Sequence, residues 1–541
     1  MTTPGKELLY VSLGGSGEIG MNLNLYGCDG KWLMLDLGVT FGNADYPGID
    51  IIMPDTAFIE ERANDLVGIV LTHGHEDHGG AVAYLAADLG VPIYCNKFTA
   101  GIVGRKIAEE GVERDVKLTI VDTDAEFELG PFGIKLIPLA HSIPDMCAAV
   151  ITTPYGTVFH SGDWKLDEDP ILGLPQVEAA IRPIGDAGVL ALVCDSTNVF
   201  NNDPSGSEGS VREGLHDVVD RAKGRVVVTT FASNAARLQT LGEVATATGR
   251  QLCVAGRSLD KVIEVSRSCG YLKSMPALIS PEDAMRLPRD KVMVIATGGQ
   301  GEPRAALARI AEGTHPLKLD EGDTVVYSSK QIPGNELAIG RIMNRLAERG
   351  IKTVTEKQAH IHVSGHPGKP ELAAMYRWVR PEIIVPVHGE MRHMQEQARF
   401  ALAEGVPQAV IQKNGQLVRL APGKPQIISE VESGRLVLDG DMIVRADGGS
   451  VNDRRKLALN GQIAVAVAGG KVDVSHRGLP VDPDDMLGFR AAVTKAALDA
   501  AAGERGNVDK RREAIRLAVR RVCVERTGKK AIVDVLLPGE A

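Results

Sequence analysis

One stretch constrains this chain more than any other: Thr72-His73-Gly74-His75-Glu76-Asp77-His78-Gly79-Gly80. Four potential metal ligands, His73, His75, Asp77 and His78, fall within six residues. The preceding run Gly68-Ile69-Val70-Leu71-Thr72 is apolar and β-branched enough to read as a buried strand. The run that follows, residues 81–89, reads as a helix stopped by Gly90. The ligands therefore sit on a strand-to-helix turn, where alternating positions can aim at two neighbouring points. Imidazole and carboxylate together suit zinc better than calcium or magnesium, which prefer all-oxygen shells. The bland alternative, a polar turn that happens to hold three histidines, fits the HxHxDH spacing poorly. A dinuclear metal site is expected.

At 541 residues the chain is too long for one core, and length suggests about three domains. With 44% apolar and 24% charged residues it is neither disordered nor fibrous. The formal net charge of -10 gives no sign of a nucleic-acid partner, yet a basic groove can sit on an acidic molecule. Seven scattered cysteines with no CxxC pair predict free thiols in a reducing compartment. The first residues lack an apolar leader and no apolar run approaches membrane-spanning length, so a cytoplasmic protein without a membrane partner is expected.

Residues 8–15 read as a first strand running into the glycine-rich turn Gly14–Asn22. That turn suggests a dinucleotide fingerprint, but a second strand (31–36) arrives where the helix should be, so the Rossmann reading is rejected. Asp36, ending that strand, is expected to hydrogen-bond the ligand loop. Further on, one grammar repeats: an apolar run, a polar residue at its C-terminal end, a turn. It delivers His141, Asp163 and Asp195, and returns as residues 381–387 delivering His388. Between about 205 and 355 strands alternate with helices, which predicts an inserted parallel α/β domain. The tail reads as a β-rich connector, a charged helix near 509–521 and a last strand at 531–537.

A two-metal hydrolase needs about six to seven protein ligands around ions roughly 3.5–4 Å apart. The turn supplies four, and His141 and Asp163 are the natural fifth and sixth, with Asp163 as the bridge. Candidates for the last ligand are His160, His216, His315, His360, His362, His366, His388 and His393. His388 stands out because it directly follows a buried strand in a tight His-Gly turn. The expected split is one ion on His73, His75, His141 and Asp163, the other on Asp77, His78, Asp163 and His388. Two such cations acidify a shared water, and the bridging hydroxide attacks a carbonyl carbon or phosphorus. Asp77 could also take the proton. These ligands alone do not choose between lactam, thioester and phosphodiester.

With these residues in place the chain resembles the metallo-β-lactamase fold, and specifically its β-CASP branch, which carries a large insertion before the last ligand. Asp195, His366 in His362-Val363-Ser364-Gly365-His366, and His388 in Pro386-Val387-His388-Gly389-Glu390 match that branch's additional motifs. Within the branch it is similar to the bacterial ribonuclease J family, through Phe231-Ala232-Ser233-Asn234, Gly256-Arg257-Ser258, residues 297–303, Ser328-Ser329 and Ile332-Pro333-Gly334-Asn335-Glu336. The resemblance implies an α/β architecture: an αββα sandwich (1–210 and 367–426), a β-CASP parallel α/β domain (211–366), a linker (427–446) and a small C-terminal α+β oligomerisation domain (447–541). It implies a zinc-dependent RNase with 5′→3′ exonuclease activity preferring a 5′-monophosphate, plus endonuclease cleavage, in mRNA decay and rRNA maturation. It further implies two zinc ions per subunit (manganese or magnesium serving in assay), single-stranded RNA as partner, a homodimer or homotetramer, and partners in an RNA-degradation complex.

Substrate contacts carry over to His362, Val363, Ser364, Gly365 and His366, and to Phe231, Ala232 and Ser233. Small residues there expose backbone N–H groups to an anion, while histidine supplies charge and a proton. The catalytic set is Asp77, His366, which binds the scissile phosphate or protonates the leaving oxygen, and Asp195, which orients. Gly299 departs from the family pattern, where a serine is expected. A structural calcium site would fall near Pro47, Ile49 and Asp441. Two rival readings are a carbonyl or DNA-end hydrolase on the same metal core and a metal-free RNA-binding scaffold. The inserted domain with its HVSGH motif opposes the first, and the full ligand set opposes the second.

Overall fold

A computed structural model describes residues 6–173, 177–331, 334–504 and 507–539. Ile332 and Pro333 of the Ile332–Glu336 motif lie outside the described residues. The chain forms two compact units. One comprises residues up to Thr40 with Met53–Gly434, the other Phe41–Ile52 with Arg435 onward.

The first unit is built on two mixed sheets. An eight-stranded sheet runs Gln426–Glu430, Gln416–Ala421, Leu8–Gly14, Leu23–Cys28, Lys31–Leu35, Leu66–Val70, Ile93–Cys95, Leu118–Ile120. A seven-stranded sheet runs Glu126–Leu129, Phe132–Pro138, Cys147–Thr153, Gly156–His160, Ala191–Asp195, Ile383–Val387, Gln408–Ala409. Their facing sides share one core in which Tyr10, Tyr26 and Leu35 meet Phe132, Ile151, Val193 and Val385. The outer side of the second sheet is covered by helices Glu178–Ala187, Lys369–Val379 and Met391–Ala403, whose Ile181, Leu372, Met375 and Ala401 are buried there. The result is the expected αββα sandwich. One pairing places the site: Ala191–Asp195 lies parallel to Ile383–Val387, with Asp195 opposite Val387. Asp195 and His388 are thereby neighbours at one sheet edge, although the whole insertion separates them in the chain.

The insertion carries a fully parallel six-stranded sheet. Its strands are β1 (Val226–Thr229), β2 (Gln251–Ala255), β3 (Leu278–Ile279), β4 (Val292–Ala296), β5 (Thr324–Tyr327) and β6 (Lys352–Val354). Their spatial order is β3-β2-β4-β1-β5-β6. The connecting helices are α1 (Ala235–Ala247), α2 (Arg257–Ser268), α3 (Pro281–Arg286), α4 (Ala306–Ala311) and α5 (Glu336–Glu348). Strands buried on both faces read as continuous apolar runs, as Val226-Val227-Val228 and Val292–Ala296 do.

The second unit pairs Gln462–Ala468 antiparallel with Lys471–Arg477 and parallel with Ile532–Leu536. Helices Met486–Gly503 and Val508–Thr527 pack Phe489, Val493, Ile515 and Val519 against that sheet. The stretch 427–446, expected as a linker, is mostly strand: Gln426–Glu430 edges the first sheet, and Arg435–Asp439 pairs with Met442–Arg445. The apolar run Leu436-Val437-Leu438 ahead of a two-residue Gly440-Asp441 loop is a hairpin pattern. All seven cysteines are free, and six are buried. Among the described residues no helix is long and apolar enough to cross a membrane.

Candidate metal centre

Each of the seven expected metal donors leaves the C-terminal end of a strand or the turn behind it, while His366 lies in the loop between Lys352–Val354 and Lys369–Val379. Leu66–Val70 runs into the His73–His78 loop, which closes as a one-turn helix, Glu76–Gly79. Three backbone N–H groups from two segments grip that turn: Asn22 N–H bonds Asp77 O (2.8 Å), Leu37 N–H bonds His78 O (2.7 Å) and Val39 N–H bonds Glu76 O (2.9 Å). The approach is so close that a Cβ on Gly38 would lie 1.8 Å from Asp77 O. The glycine-rich turn 14–22 thus serves the metal loop and the His388 turn, whose N–H bonds Gly15 O at 2.6 Å. His388 itself adopts φ 53°, a left-handed conformation uncommon outside glycine.

Three donor groups form, each with ligand atoms within 4.8 Å of one another: His73, His75, His141, Asp163; Asp77, His78, Asp163, His388; and Asp163, Asp195, His366, His388. Asp163 belongs to all three, and its Oδ1 is buried with no hydrogen-bond partner among the described residues. His73 Nε2 and His141 Nε2 lie 3.0 and 3.2 Å from His75 Nδ1. His141 Nδ1–H donates to Gly365 O (2.6 Å), so its Nε2 presents a lone pair to its neighbours. Converging nitrogen lone pairs beside an unsatisfied carboxylate oxygen are what a cation would complete, and the imidazole–carboxylate set suits zinc.

Charge follows the same division. Burial, then the neighbouring imidazoles, hold His73 and His141 far below the ordinary histidine range, and burial lowers His75 to about 4. All three are neutral donors. Burial alone would lower His78 and His388 too, but Asp163 with the other carboxylates raises His78 well up and His388 to about 10. A cation bound there displaces these protons. Burial opposes ionisation of Asp77, Asp163 and Asp195, yet the surrounding histidines hold all three below the usual carboxylate range.

An outer ring of hydrogen bonds aims the donors. Asp36 takes His78 Nδ1 (2.7 Å) and Thr72 N–H (2.7 Å), the role expected for it. Thr197 Oγ1 lies 2.6 Å from His388 Nδ1, and Asn22 Nδ2 3.1 Å from His78 Nε2. Such partners fix ring orientation and donor strength. Thr197 and Asn22 were not singled out from sequence; each sits in a quoted turn, which was the available signal. Asp195 Oδ2 accepts from His366 Nδ1 (2.8 Å), and its Oδ1 accepts Thr197 N–H (2.8 Å). Burial would lower His366, but Asp195 raises it. The His366 side chain is 24% exposed against 4% for His388.

The remaining expected residues divide. Ser233 Oγ lies 3.0 Å from His75 Nε2, which makes it a support for a donor histidine as well as a neighbour of Phe231 and Ala232. Gly365 passes so close to His141 that a Cβ would be 3.0 Å from the ring. Ser364 Oγ accepts His366 N–H (3.1 Å), and Val363 is buried. The charge expected of His362 is absent: burial first, then Arg237, pushes it down to about 3, and it stands in none of the donor groups. His160 bonds Tyr26 OH (2.8 Å) inside the core, and His393 packs on Phe200. At Gly299 a Cβ would meet Ser329 Oγ at 2.8 Å and Thr229 Oγ1 at 3.1 Å, two buried hydroxyls without hydrogen-bond partners among the described residues. Phe231, Ala232, Gly299 and Ser329 line a hollow of about 100 Å³ beside the donors.

The αββα frame, the inserted parallel sheet and the shared-aspartate donor set define a metal-dependent hydrolase of the metallo-β-lactamase fold with a β-CASP insertion. Residues 47–191 match the β-lactamase superfamily domain, 223–346 the ribonuclease J β-CASP domain, and 353–408 the Zn-dependent metallo-hydrolase RNA specificity domain. The chain is 42% identical to ribonuclease J of Sinorhizobium meliloti over 98% of its own length and 97% of the relative's. It is 36% identical to that of Corynebacterium glutamicum (93% and 72% covered) and 33% to that of Thermus thermophilus (99% and 96%). The chain belongs to the ribonuclease J family. A crystal structure of a protein of unknown function from Enterococcus faecalis shares the fold at 15% identity, with TM-score 0.55, covering 76% of this chain and all of that one.

Proposed function

We propose that this protein hydrolyses RNA phosphodiester bonds with two zinc ions per subunit, removing nucleotides from a 5′-monophosphorylated end and also cutting internally. His366 carries the reading: a reachable imidazole beside the donor groups, anchored through Nδ1 to Asp195 and stacked on His388 with ring centroids 5.7 Å apart. His73, His75, His141 and Asp163 hold one ion; Asp77, His78, Asp163 and His388 hold the other, and manganese or magnesium substitutes in assay. When bound, the ions supply an acidified water and positive charge opposite the developing oxyanion.

The chain does the rest. Asp195 keeps the His366 proton available, and His366 delivers it to the departing 3′-oxygen, a step general acids accelerate by about 10²–10⁴. Asp77, whose side chain is 30% exposed, takes the water's proton. The backbone N–H of Gly365, with the hollow at Phe231, Ala232 and Ser329, receives the 5′-phosphate; Ser364 N–H is already bonded to Ser205 O (3.2 Å) and holds the loop in place. His362, being neutral, contributes hydrogen bonding without charge. The same reading makes the protein a cytoplasmic dimer or tetramer acting in mRNA decay and rRNA maturation, with partners in a degradation complex.

The test compares 5′-labelled monophosphate and triphosphate RNA. Mononucleotide should be released from the former alone, and His366→Ala should lower kcat by about 10²–10⁴ with zinc content unchanged. Undiminished turnover by the variant defeats the acid assignment, and equal release from triphosphate RNA defeats the end preference.

A further inference from the structure

Two crevices flank strand β4 of the inserted sheet, and the catalytic reading uses one. In a parallel sheet a crevice opens beyond the carboxyl ends of neighbouring strands whose following helices pack on opposite faces. Strand β4 stands between β2 and β1. Helices α1 and α2, which follow β1 and β2, bury Leu238, Leu241, Leu259 and Ile263 in one core. Helices α4 and α5, which follow β4 and β5, bury Leu307, Ile310, Ile342 and Leu346 in the other. A switch point therefore flanks β4 on each side. Between β4 and β1 lies the small hollow beside the donor groups. Between β4 and β2 lies a cavity of about 660 Å³ that no step above requires.

The lining of this second crevice is specific. Arg257, Arg304 and Arg309 all face it. Arg257 and Arg309 are exposed and have no ion-pair or side-chain hydrogen-bond partner among the described residues. In a protein of net charge -10, three guanidiniums around one cavity make a local positive field. His315 adds a donor: its Nδ1 accepts Leu317 N–H (3.1 Å), which leaves the proton of the neutral ring on Nε2. Helix α2 starts at the rim from Gly256, which has no side chain to cap it. Only glycine fits there, since a Cβ would lie 2.5 Å from Thr297 Cγ2 at φ 140°. The opposite wall is apolar, with Val254, Leu278 and Ile279, and Asp260 sits in the first turn of α2.

We propose that this second crevice binds a phosphorylated nucleoside. The phosphate lies on Arg257, Arg309 and the first turn of α2, a ribose hydroxyl donates to Asp260, and the base lies against Leu278 and Ile279. The same chemistry comes from a free mononucleotide or from one unit of an RNA strand. Thr297 lines both crevices, and consecutive residues Arg257 and Ser258 face one each, so the two share a wall.

Hydrogen–deuterium exchange on the full-length zinc-loaded protein tests this with three probes: AMP, inorganic phosphate at equal concentration, and a phosphorothioate-linked oligoribonucleotide. Slower exchange over 254–260 and 278–281 with AMP shows a free-nucleotide site; slowing with the oligomer alone shows a strand unit; both support the proposal. Arg257→Gln/Arg309→Gln, two exposed changes, should weaken the effect about tenfold while protection of 362–366 persists. Protection of 254–260 by phosphate as strong as by AMP overturns the nucleotide assignment. So does unchanged wild-type exchange with all three probes, or protection retained in the variant.

Discussion

Arg237 is the residue whose loss should reveal most about how the substrate loops are held. It is fully buried, and its partner Glu208 is 1% exposed. Arg237 Nε and Nη2 donate to Glu208 Oε2 (3.1 and 3.0 Å), while Nη1 donates to Ser328 O and Ile361 O, each at 3.1 Å. Glu208 Oε1 also accepts from Asn234 Nδ2 (3.3 Å), the residue that caps α1 directly after Phe231–Ser233. Ile361 directly precedes His362–His366. One buried pair thus ties both expected phosphate loops to the end of the first sandwich half. Arg237→Met keeps the length and apolar stem but strands a buried carboxylate and two carbonyls. Removing one partner of a buried pair costs about 3–5 kcal/mol, which corresponds to a fall of roughly 10 °C in the midpoint of the inserted domain (211–366) unfolding as its own unit. Arg237→Met with Glu208→Gln should recover part of that loss, because no uncompensated charge remains. Thermal unfolding followed by circular dichroism gives the midpoints, and steady-state cleavage should show KM rising while zinc content holds. A loss under about 1 kcal/mol, or a double variant as unstable as the sum of the singles, would refute the argument.

Three further outcomes follow from the geometry. Thr197→Val removes the hydroxyl 2.6 Å from His388 Nδ1; zinc affinity by chelator competition should fall about 10–100-fold, and unchanged affinity would remove Thr197 from the centre. Gly38→Ala places a methyl 1.8 Å from Asp77 O, so soluble protein should retain little zinc by elemental analysis, whereas Gly340→Ala in α5, which meets nothing within 4 Å, should retain it. Asp195→Asn keeps the shape but loses the charge that raises His366; it should lower kcat more than it raises KM, and an effect on KM alone would sink the orienting role.

The donor residues were legible because their signal is local. A buried strand ending in a polar turn has a recognisable period and composition, and His73, His75, Asp77, His78, His141, Asp163 and His388 all obey it. The insertion was legible as alternating strands and helices. Asp36 was legible because a carboxylate ending a strand beside a histidine loop has a natural partner. The Arg237–Glu208 pair was not, since a lone arginine in an apolar helical run does not name the carboxylate that neutralises it. Nor was the hairpin at 435–445, where a β-rich stretch between domains reads as a connector until its pairing is known.

By itself the sequence determined which side chains could hold metal and that each would stand at a strand end, because periodicity and turn chemistry are properties of neighbouring residues. Only the tertiary structure decided that Thr197 and Asn22 aim the donors, that Ser233 supports His75, that His362 is neutral, and that β4 is flanked by two crevices. Those outcomes depend on which strands pair and on how deeply a ring is buried. Strand order and burial arise from the packing of distant segments, which no short stretch of chain specifies.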